Sequence, residues 1–406
     1  MSRIFKKDIC LEPSFSSVPA LMMIASILGA MSTTILAPAL PLIEAHFHVT
    51  SDAAQQVLSL NLAGIAVSGL FYGALSESFG RRFLFLSGIS LFFISAFLSY
   101  FARTLEWLMI FQLIQGCGMG VGTILPLAVI RDLYHGKKAA KLISVLGILV
   151  PLAPAFSPLV GGYITQYLGW SSIFLTLSII GVCLAVTLYF HFPETLAKKH
   201  RQPPSLMGQI KNYGRTLKNL LFLRFMAMLC LSFSGLWVYH TSAPFVFIQQ
   251  LKLSPAEYGV YPIISVIGVI LGNFLVNRMV HFWQLGVFLK IGAVSTLGGT
   301  LILLGLTVFS CRSPLIYALS MTIYCFGFGT IFSSSLMLAM ENASHGKGYG
   351  AALMRGSQLM SASIAVAVSG ILYKGSFLFP GLFMLGCIVI VNCLVWTTPK
   401  QTLKEE

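Results

Sequence analysis

Long apolar runs with few charges dominate the sequence, and they limit what the chain can fold into more than any other feature. Each run has about 20 residues or more, the length an α-helix needs to cross the hydrocarbon core of a bilayer. Only 9% of the residues are charged, whereas a soluble protein carries about 25%. We therefore predict an all-α integral membrane protein with twelve transmembrane helices, at 18–43, 53–76, 84–102, 106–130, 139–165, 170–192, 222–250, 257–280, 285–309, 314–340, 349–373 and 377–398.

A polar, basic segment at 193–221 divides these runs into two sets of six. Two sets of six helices are typical of transporters built from internal repeats. We predict two pseudo-symmetric six-helix bundles around a central cavity. The predicted divisions are an N-terminal segment 1–17, bundles at 18–192 and 222–398, a central loop 193–221 and a C-terminal segment 399–406.

The basic residues are distributed unequally between the two sides that these spans define. If the N-terminus is inside, 22 of the 26 Lys and Arg residues fall in inside segments or at their edges, Arg355 among them. The other four, Arg103, Lys252, Arg312 and Lys374, fall outside. Because inside loops of membrane proteins are rich in Lys and Arg, we predict a bacterial-type inner membrane protein with both termini cytoplasmic. The net charge of +14 then reflects the excess of Lys and Arg on the cytoplasmic side. We therefore expect no nucleic-acid partner.

The stretch "GALSESFGRR" at 73–82 forms the predicted cytoplasmic turn between spans 2 and 3. Glycines at Gly73 and Gly80 suit a tight turn. Glu77 can pair with Arg81 and Arg82, and such a charge cluster can hold one conformation and release it in another. The simpler interpretation is an ordinary basic loop on the cytoplasmic side.

The stretch "VPLAPAFSPLVGGYI" at 150–164 places three prolines inside the fifth predicted span. Proline is tolerated there when neighbouring helices satisfy the freed carbonyl groups. At 100° per residue, the small residues of this stretch fall within roughly a third of the helix circumference. We predict a smooth hinge face that packs closely on a partner, with span 8 the expected one. Its residues are Pro151, Pro154, Pro158, Gly161 and Gly162.

Five stretches together resemble a known family: "GALSESFGRR", "APALPLI" at 37–43, "IRDLYHGKKAAK" at 130–141, "APAFSPLVGGYITQYLGWSSIF" from 153, and "LSPAEYG" at 253–259. They resemble the twelve-span drug:proton antiporters of the major facilitator superfamily, specifically the Bcr/CflA branch. The resemblance implies export of drugs or other amphipathic compounds, coupled to proton entry. It also adds Arg131 and Asp132 to the predicted latch.

Two positions depart from the pattern of that branch. Thr34 stands where the branch usually has an aspartate, and Gln112 where it commonly has an arginine. All twelve acidic residues lie at the ends of predicted spans or outside them, so no carboxylate sits at mid-span. Proton-coupled transporters usually carry intramembrane acids. The remaining mid-span candidate for the proton carrier is His240, because imidazole titrates near pH ~6.5. The alternative is a neutral histidine hydrogen-bonded within the bundle.

Polar and aromatic residues at mid-span are the candidates for the wall of the substrate cavity. Unpaired amides are costly in lipid, so these side chains should face the bundle interior, where each either lines the cavity or joins two helices. The predicted cavity is polar but uncharged, which favours neutral or zwitterionic solutes over lipophilic cations. The candidates are Thr34, Asn61, Gln112, Gln115, Trp237, His240, Tyr324 and Gln358.

These patterns predict a secondary active transporter that moves a small organic solute by alternating access, most directly drug or metabolite efflux coupled to protons. One alternative is a dedicated carrier for an endogenous metabolite such as a siderophore or nutrient, which the residues at Thr34 and Gln112 favour. Another is a membrane receptor that does not transport. The sequence holds no nucleophile, nucleotide or metal-site pattern, so we expect no enzyme activity, no cofactor and no metal. The membrane lipid is the expected surrounding, and the protein is expected to be monomeric.

Overall fold

The computed structural model describes residues 17–196, 201, 206–343, 347–373 and 375–399. The predicted terminal segments therefore lie almost entirely outside the described residues. Twelve described helices are long and apolar enough to cross a membrane, which confirms the predicted fold class. They are α1 Val18–Phe47, α2 Ser51–Phe79, α3 Arg81–Tyr100, α4 Leu105–Leu133, α5 Gly136–Leu168, α6 Ser172–His191, α7 Leu220–Gln250, α8 Pro255–Met279, α9 Leu285–Val308, α10 Pro314–Glu341, α11 Tyr349–Leu372 and α12 Leu378–Trp396.

The ends of these helices are set by local chemistry that hydropathy does not reveal. The Asn219 side chain accepts from the backbone N–H groups of Leu221 and Phe222 at the start of α7. Ser254 and Glu257 form a reciprocal capping box at the start of α8. Such caps satisfy the free N–H groups of a first helical turn. Most helices consequently extend a few residues beyond the predicted apolar runs.

The two sets of six helices pack in the same pattern. In the first half α4 packs against α1, α2 and α3, α3 packs against α6, and α1 packs against α5. In the second half α10 packs against α7, α8 and α9, α9 packs against α12, and α7 packs against α11. Each of these helix pairs in the first half has a counterpart in the second half whose helix numbers are higher by six. This repeat is the internal symmetry expected of transporters with duplicated bundles.

Small residues bring the helices of each half close together. The stretch "GCGMGVG" of α4 illustrates this. Gly116 lies against the backbone of Asn61 in α2, and Gly118 lies against Gly88 and Phe92 in α3. A side chain at either glycine would overlap backbone atoms of the neighbouring helix. The glycines therefore permit close helix packing within the membrane.

The halves meet chiefly along two helix pairs, α2 with α11 and α5 with α8, and α1 also contacts α7. We call the end of the molecule that holds the α2–α3 turn the basic end, and the end that holds the α1–α2 turn the far end. The sequence prediction places the basic end in the cytoplasm.

The predicted loop 193–221 contains an unpredicted helix, Leu206–Thr216, which we call the linker helix. Its Tyr213 hydroxyl donates to the carbonyl oxygen of Leu70 in α2 at 2.8 Å. The Tyr213 ring lies edge-on to Tyr349 of α11, with 6.0 Å between centroids. One side chain of the linker helix thus touches both halves at the basic end.

Candidate functional site

Hydrogen bonds join the two halves at the far end. The Gln249 amide of α7 donates to the Glu44 carboxylate of α1 at 2.5 Å. The backbone N–H of Ala256 in α8 donates to Gln166 of α5 at 3.3 Å. In the α2–α11 pair, the Ser59 hydroxyl donates to the carbonyl oxygen of Ser363 at 2.8 Å. The Ser363 hydroxyl in turn donates to the carbonyl oxygen of Ser59 at 2.8 Å. These contacts close the far end.

The proline–glycine face of α5 changes its surroundings along the helix. Pro158, Gly161 and Gly162 are buried. Gly161 lies against the carbonyl oxygen of Ile35 in α1, and Gly162 lies against the backbone of Pro255 at the start of α8. The expected contact between α5 and α8 is therefore present at the far end.

The same face is open towards the basic end. Pro151 is exposed and Pro154 is half-buried. A Cβ atom added at Gly147 would meet no atom within 4 Å. The smooth face thus packs on α8 over its far-end half and is free of close neighbours at Gly147. The close packing of α5 on α8 is therefore confined to the far-end part of this face.

At the basic end, Arg81 organises a charge cluster. Its Nε lies 3.2 Å from Asp132 Oδ2 of α4, and its Nη2 lies 4.0 Å from Glu77 Oε1. Its guanidinium also donates to the Ser76 hydroxyl. The backbone N–H of Arg81 donates to Glu194 at 2.9 Å, which places a carboxylate at the start of α3, where the helix dipole favours it.

Gly80 makes the direct α2–α3 turn possible. Its φ of +99° is a conformation that residues with a side chain rarely adopt. A Cβ atom there would also overlap the side chains of Glu194 and Arg201. Arg201 holds Glu194 in place with a 3.1 Å ion pair.

Other members of the predicted latch lie apart from this cluster. Gly73 is inside α2 rather than in the turn, because the helix continues to Phe79. Arg82 donates to the carbonyl oxygen of Tyr189 in α6 at 2.6 Å. Arg131 is exposed and forms no ion pair with any described residue. Glu194 and Arg201 are absent from the predicted latch, because both follow α6 along the chain and only the tertiary fold brings them to α3.

Three amide candidates for the cavity form a buried cluster between α2 and α4. Asn61 donates to the Gln112 side chain at 3.3 Å, and Gln112 donates to Gln115 at 2.5 Å. Each is 0–1% exposed. Thr34 is similarly buried, with its hydroxyl 2.5 Å from that of Ser157 in α5. In this conformation Thr34, Asn61 and Gln112 join helices, whereas the Gln115 side chain is buried and, among the described residues, bonds only to Gln112 of its own helix.

The aromatic candidates of the second half have two different surroundings. The Tyr324 hydroxyl donates to the carbonyl oxygen of Ser232 at 2.6 Å, so it joins α10 to α7. Trp237 lies between Phe233 and His240, with ring centroids 6.1 and 6.2 Å away. Phe328 of α10 packs on Phe233 at 5.7 Å. Phe233, Trp237 and Phe328 thus form one aromatic cluster. His240 lies next to this cluster on the side of the far end, and it is half-buried. No described residue makes a hydrogen bond to its imidazole.

One charged residue that the predicted cavity does not include, Arg355, is half-buried within a span. Arg355 was counted with the inside segments although it falls in the predicted run 349–373, and the structure places it within α11, six residues after Tyr349. Its Nη1 donates to Gln358 Oε1 at 2.8 Å. Gln358 is 1% exposed, and its Nε2 has no hydrogen-bond partner among the described residues. Across the described ranges, no three His, Cys, Asp or Glu side chains come together as a metal site requires.

Comparisons with known proteins agree with this architecture. The chain is 28% identical over 349 residues to the "Uncharacterized MFS-type transporter YdgK" of Bacillus subtilis, covering 85% of this chain and 86% of that protein. It is 26% identical over 339 residues to the "Chloramphenicol resistance protein CraA" of Acinetobacter baumannii, covering 84% of this chain and 81% of that protein. A solved structure titled "Crystal structure of D-xylose-proton symporter" superimposes with a TM-score of 0.75 at 18% identity, covering 97% of this chain and 100% of that chain.

A sequence profile gives the assignment directly. The profile described as Major Facilitator Superfamily matches residues 22–362, which is most of the chain and includes helices of both halves. The protein is therefore a multi-pass membrane transporter that belongs to the Major Facilitator Superfamily.

Proposed function

We propose that the protein exports drug-like organic solutes across a bacterial inner membrane, as a monomer with both termini in the cytoplasm. The observation that carries the proposal is the difference between the two ends of the α5 face. Gly162 is packed on Pro255 at the far end, whereas Gly147 has no close neighbour towards the basic end. A transporter that works by alternating access needs one closed end and one open end that exchange during the cycle.

The relatives support the choice of drug-like solutes. One of them is named as a chloramphenicol resistance protein, and the alignment covers 84% of this chain. Aromatic rings such as those of Phe233, Trp237 and Phe328 suit contacts with amphipathic organic molecules. We therefore propose chloramphenicol-like and related compounds as the first substrates to test.

The charge cluster and the linker helix are proposed to control the exchange between the two open states. The Arg81–Asp132 pair joins α3 to α4, and the linker helix spans α2 and α11 through Tyr213. Closure of the basic end would bring α5 towards α8 there. Opening of the far end would separate Gly162 from Pro255. Neither step requires a helix to unfold, because the halves can rock as rigid bodies.

For coupling, we propose that His240 carries the proton. His240 is half-buried beside Trp237 and Tyr239, and its imidazole has no hydrogen-bond partner among the described residues. An unpartnered imidazole in the interior is free to exchange a proton when the far end opens.

The proposal is tested by a drug-susceptibility panel in a bacterial strain that lacks its own major exporters. The strain carries an empty vector, the wild-type gene, the Gly162→Leu variant or the Gly147→Leu variant. We expect resistance to at least one compound from the wild type and from Gly147→Leu, and loss of that resistance in Gly162→Leu. Unchanged susceptibility across all chemical classes with the wild-type gene would refute drug export.

A further inference from the structure

Arg355 is a cationic group inside a membrane-spanning helix. It lies six residues after Tyr349, the first residue of α11, so it is about 9 Å along the helix axis. Charged side chains at such positions are costly in lipid and are retained where they face a cavity or a partner.

The helix geometry turns Arg355 towards the interior of the protein. Ile364 follows nine residues later, which is about 180° around the helix, and it is 57% exposed on the outer surface. Ala362 and Val366 lie on the same side as Arg355, and both are fully buried. Arg355 itself is only half-buried. Its face of α11 is therefore interior, and it is open at the level of Arg355.

The local partners of Arg355 satisfy only one part of its guanidinium. One N–H donates to Gln358 Oε1. This bond occupies the acceptor of Gln358, while Gln358 Nε2 stays buried without a partner. The pair therefore presents the remaining guanidinium donors together with an amide donor, and none of these groups can accept a hydrogen bond.

No acidic residue neutralises this charge. Among the described residues, no carboxylate lies within 4.0 Å of the guanidinium. Glu77, on the adjacent α2, is associated with Arg81. Arg224 on α7 and Lys211 on the linker helix add positive charge to the elements that pack against α11. A half-buried cation with one described acceptor and an unpaired amide donor three residues away can bind an anion from outside the protein.

We propose that Arg355 and Gln358 form an anion-binding site on the interior face of α11, and that this transporter binds solutes with a carboxylate in preference to their neutral analogues. This inference rests on the proposed transport function and narrows its substrate class. A carboxylate can accept two N–H groups of a guanidinium side by side. The amide N–H of Gln358 would bind one of the same oxygens from the neighbouring turn.

Thermal stabilisation of purified protein tests the site without requiring transport. The protein is placed in nanodiscs of phosphatidylcholine and titrated with naphthoate and with its neutral amide, naphthamide. Chloramphenicol, which is neutral, serves as a second ligand. The variants are Arg355→Gln, Arg355→Lys and Arg103→Gln, the last removing an exposed arginine at the far end.

We expect naphthoate to stabilise the wild type at concentrations about tenfold below those needed for naphthamide. That preference should disappear in Arg355→Gln, persist in part in Arg355→Lys and stay intact in Arg103→Gln. Equal effects of naphthoate and naphthamide on the wild type would overturn the anion site, and so would no effect of either. If chloramphenicol still stabilises the protein in that case, the transport proposal stands while the anion site fails.

A lipid headgroup is the other possible source of the anion, and nanodiscs containing phosphatidylglycerol distinguish it. Stabilisation of the wild type by phosphatidylglycerol that is lost in Arg355→Gln, together with no preference for naphthoate, would assign the site to lipid and overturn the proposal.

Discussion

Gly162 of α5 lies against the backbone of Pro255 at the first turn of α8, so closely that a Cβ atom would overlap the Pro255 carbonyl oxygen. The contact joins a helix of one half to a helix of the other at the far end. It gives the proline–glycine face of α5 a definite partner. Fifteen residues earlier on the same helix, Gly147 has no atom within reach of an added Cβ.

We predict that Gly162→Leu shifts the protein towards a state with an open far end, because the leucine cannot fit against Pro255. Gly147→Leu is the matched control, since the same side chain enters open space. Distances between spin labels on the far-end loops of the two halves measure the shift. A distance distribution in Gly162→Leu identical to that of the wild type would show that the contact does not control closure.

Arg81→Ala should destabilise the basic-end cluster. The change leaves Asp132 without its 3.2 Å partner, and loss of one member of a buried pair costs about 3–5 kcal/mol. Because the Asp132 side chain is 27% exposed, we expect the loss of stability to lie at or below the lower end of this range. The thermal unfolding midpoint measures the effect, and Arg103→Ala at the far end serves as the control. Equal midpoints for the two variants would mean that Arg81 has no structural role.

His240→Ala should abolish the response of transport to an imposed pH gradient while leaving downhill movement of the solute. The reason is that His240 is the proposed proton carrier, and the described spans hold their acids at or near the helix ends. His281→Ala, which changes an exposed histidine between α8 and α9, should leave the response intact. Accumulation that still follows the gradient in His240→Ala would remove His240 as the carrier.

Asn61→Ala should lower stability without changing the apparent affinity for solute. Asn61 donates to the Gln112 carbonyl oxygen and side chain, and losing such buried hydrogen bonds costs about 1–3 kcal/mol. Gln284→Ala removes an exposed amide that does not cap its helix and should have no effect. A large loss of solute affinity at unchanged stability would instead place Asn61 in the cavity wall.

The sequence predicts the fold well because hydropathy alone identifies a helix that spans a membrane. Hydropathy also predicts that α5 continues through its three prolines, since the stretch around them, 142–164, has no charged residue. It cannot tell which polar side chains face a cavity and which face another helix. The pairing of Asn61 with Gln112, and of Thr34 with Ser157, depends on how α2, α4, α1 and α5 are rotated against one another.

Charged residues near helix ends are the second limit of prediction. Arg355 lies near the start of the predicted run 349–373, but hydropathy does not tell whether its side chain faces lipid, the protein interior or the loop. Glu194 lies 113 positions from its partner Arg81, and no local pattern links the two. In both cases a residue's role depends on tertiary distances.

Solute flux in proteoliposomes tests the central claim of alternating-access transport most directly. The solute is the compound to which the wild-type gene gives the greatest resistance, and the driving force is an imposed pH gradient. We predict gradient-dependent flux with the wild type and with Gly147→Leu, and flux reduced to the level of protein-free liposomes with Gly162→Leu. Flux through Gly162→Leu equal to the wild type, or no flux with the wild type for any compound of the panel, would contradict the account.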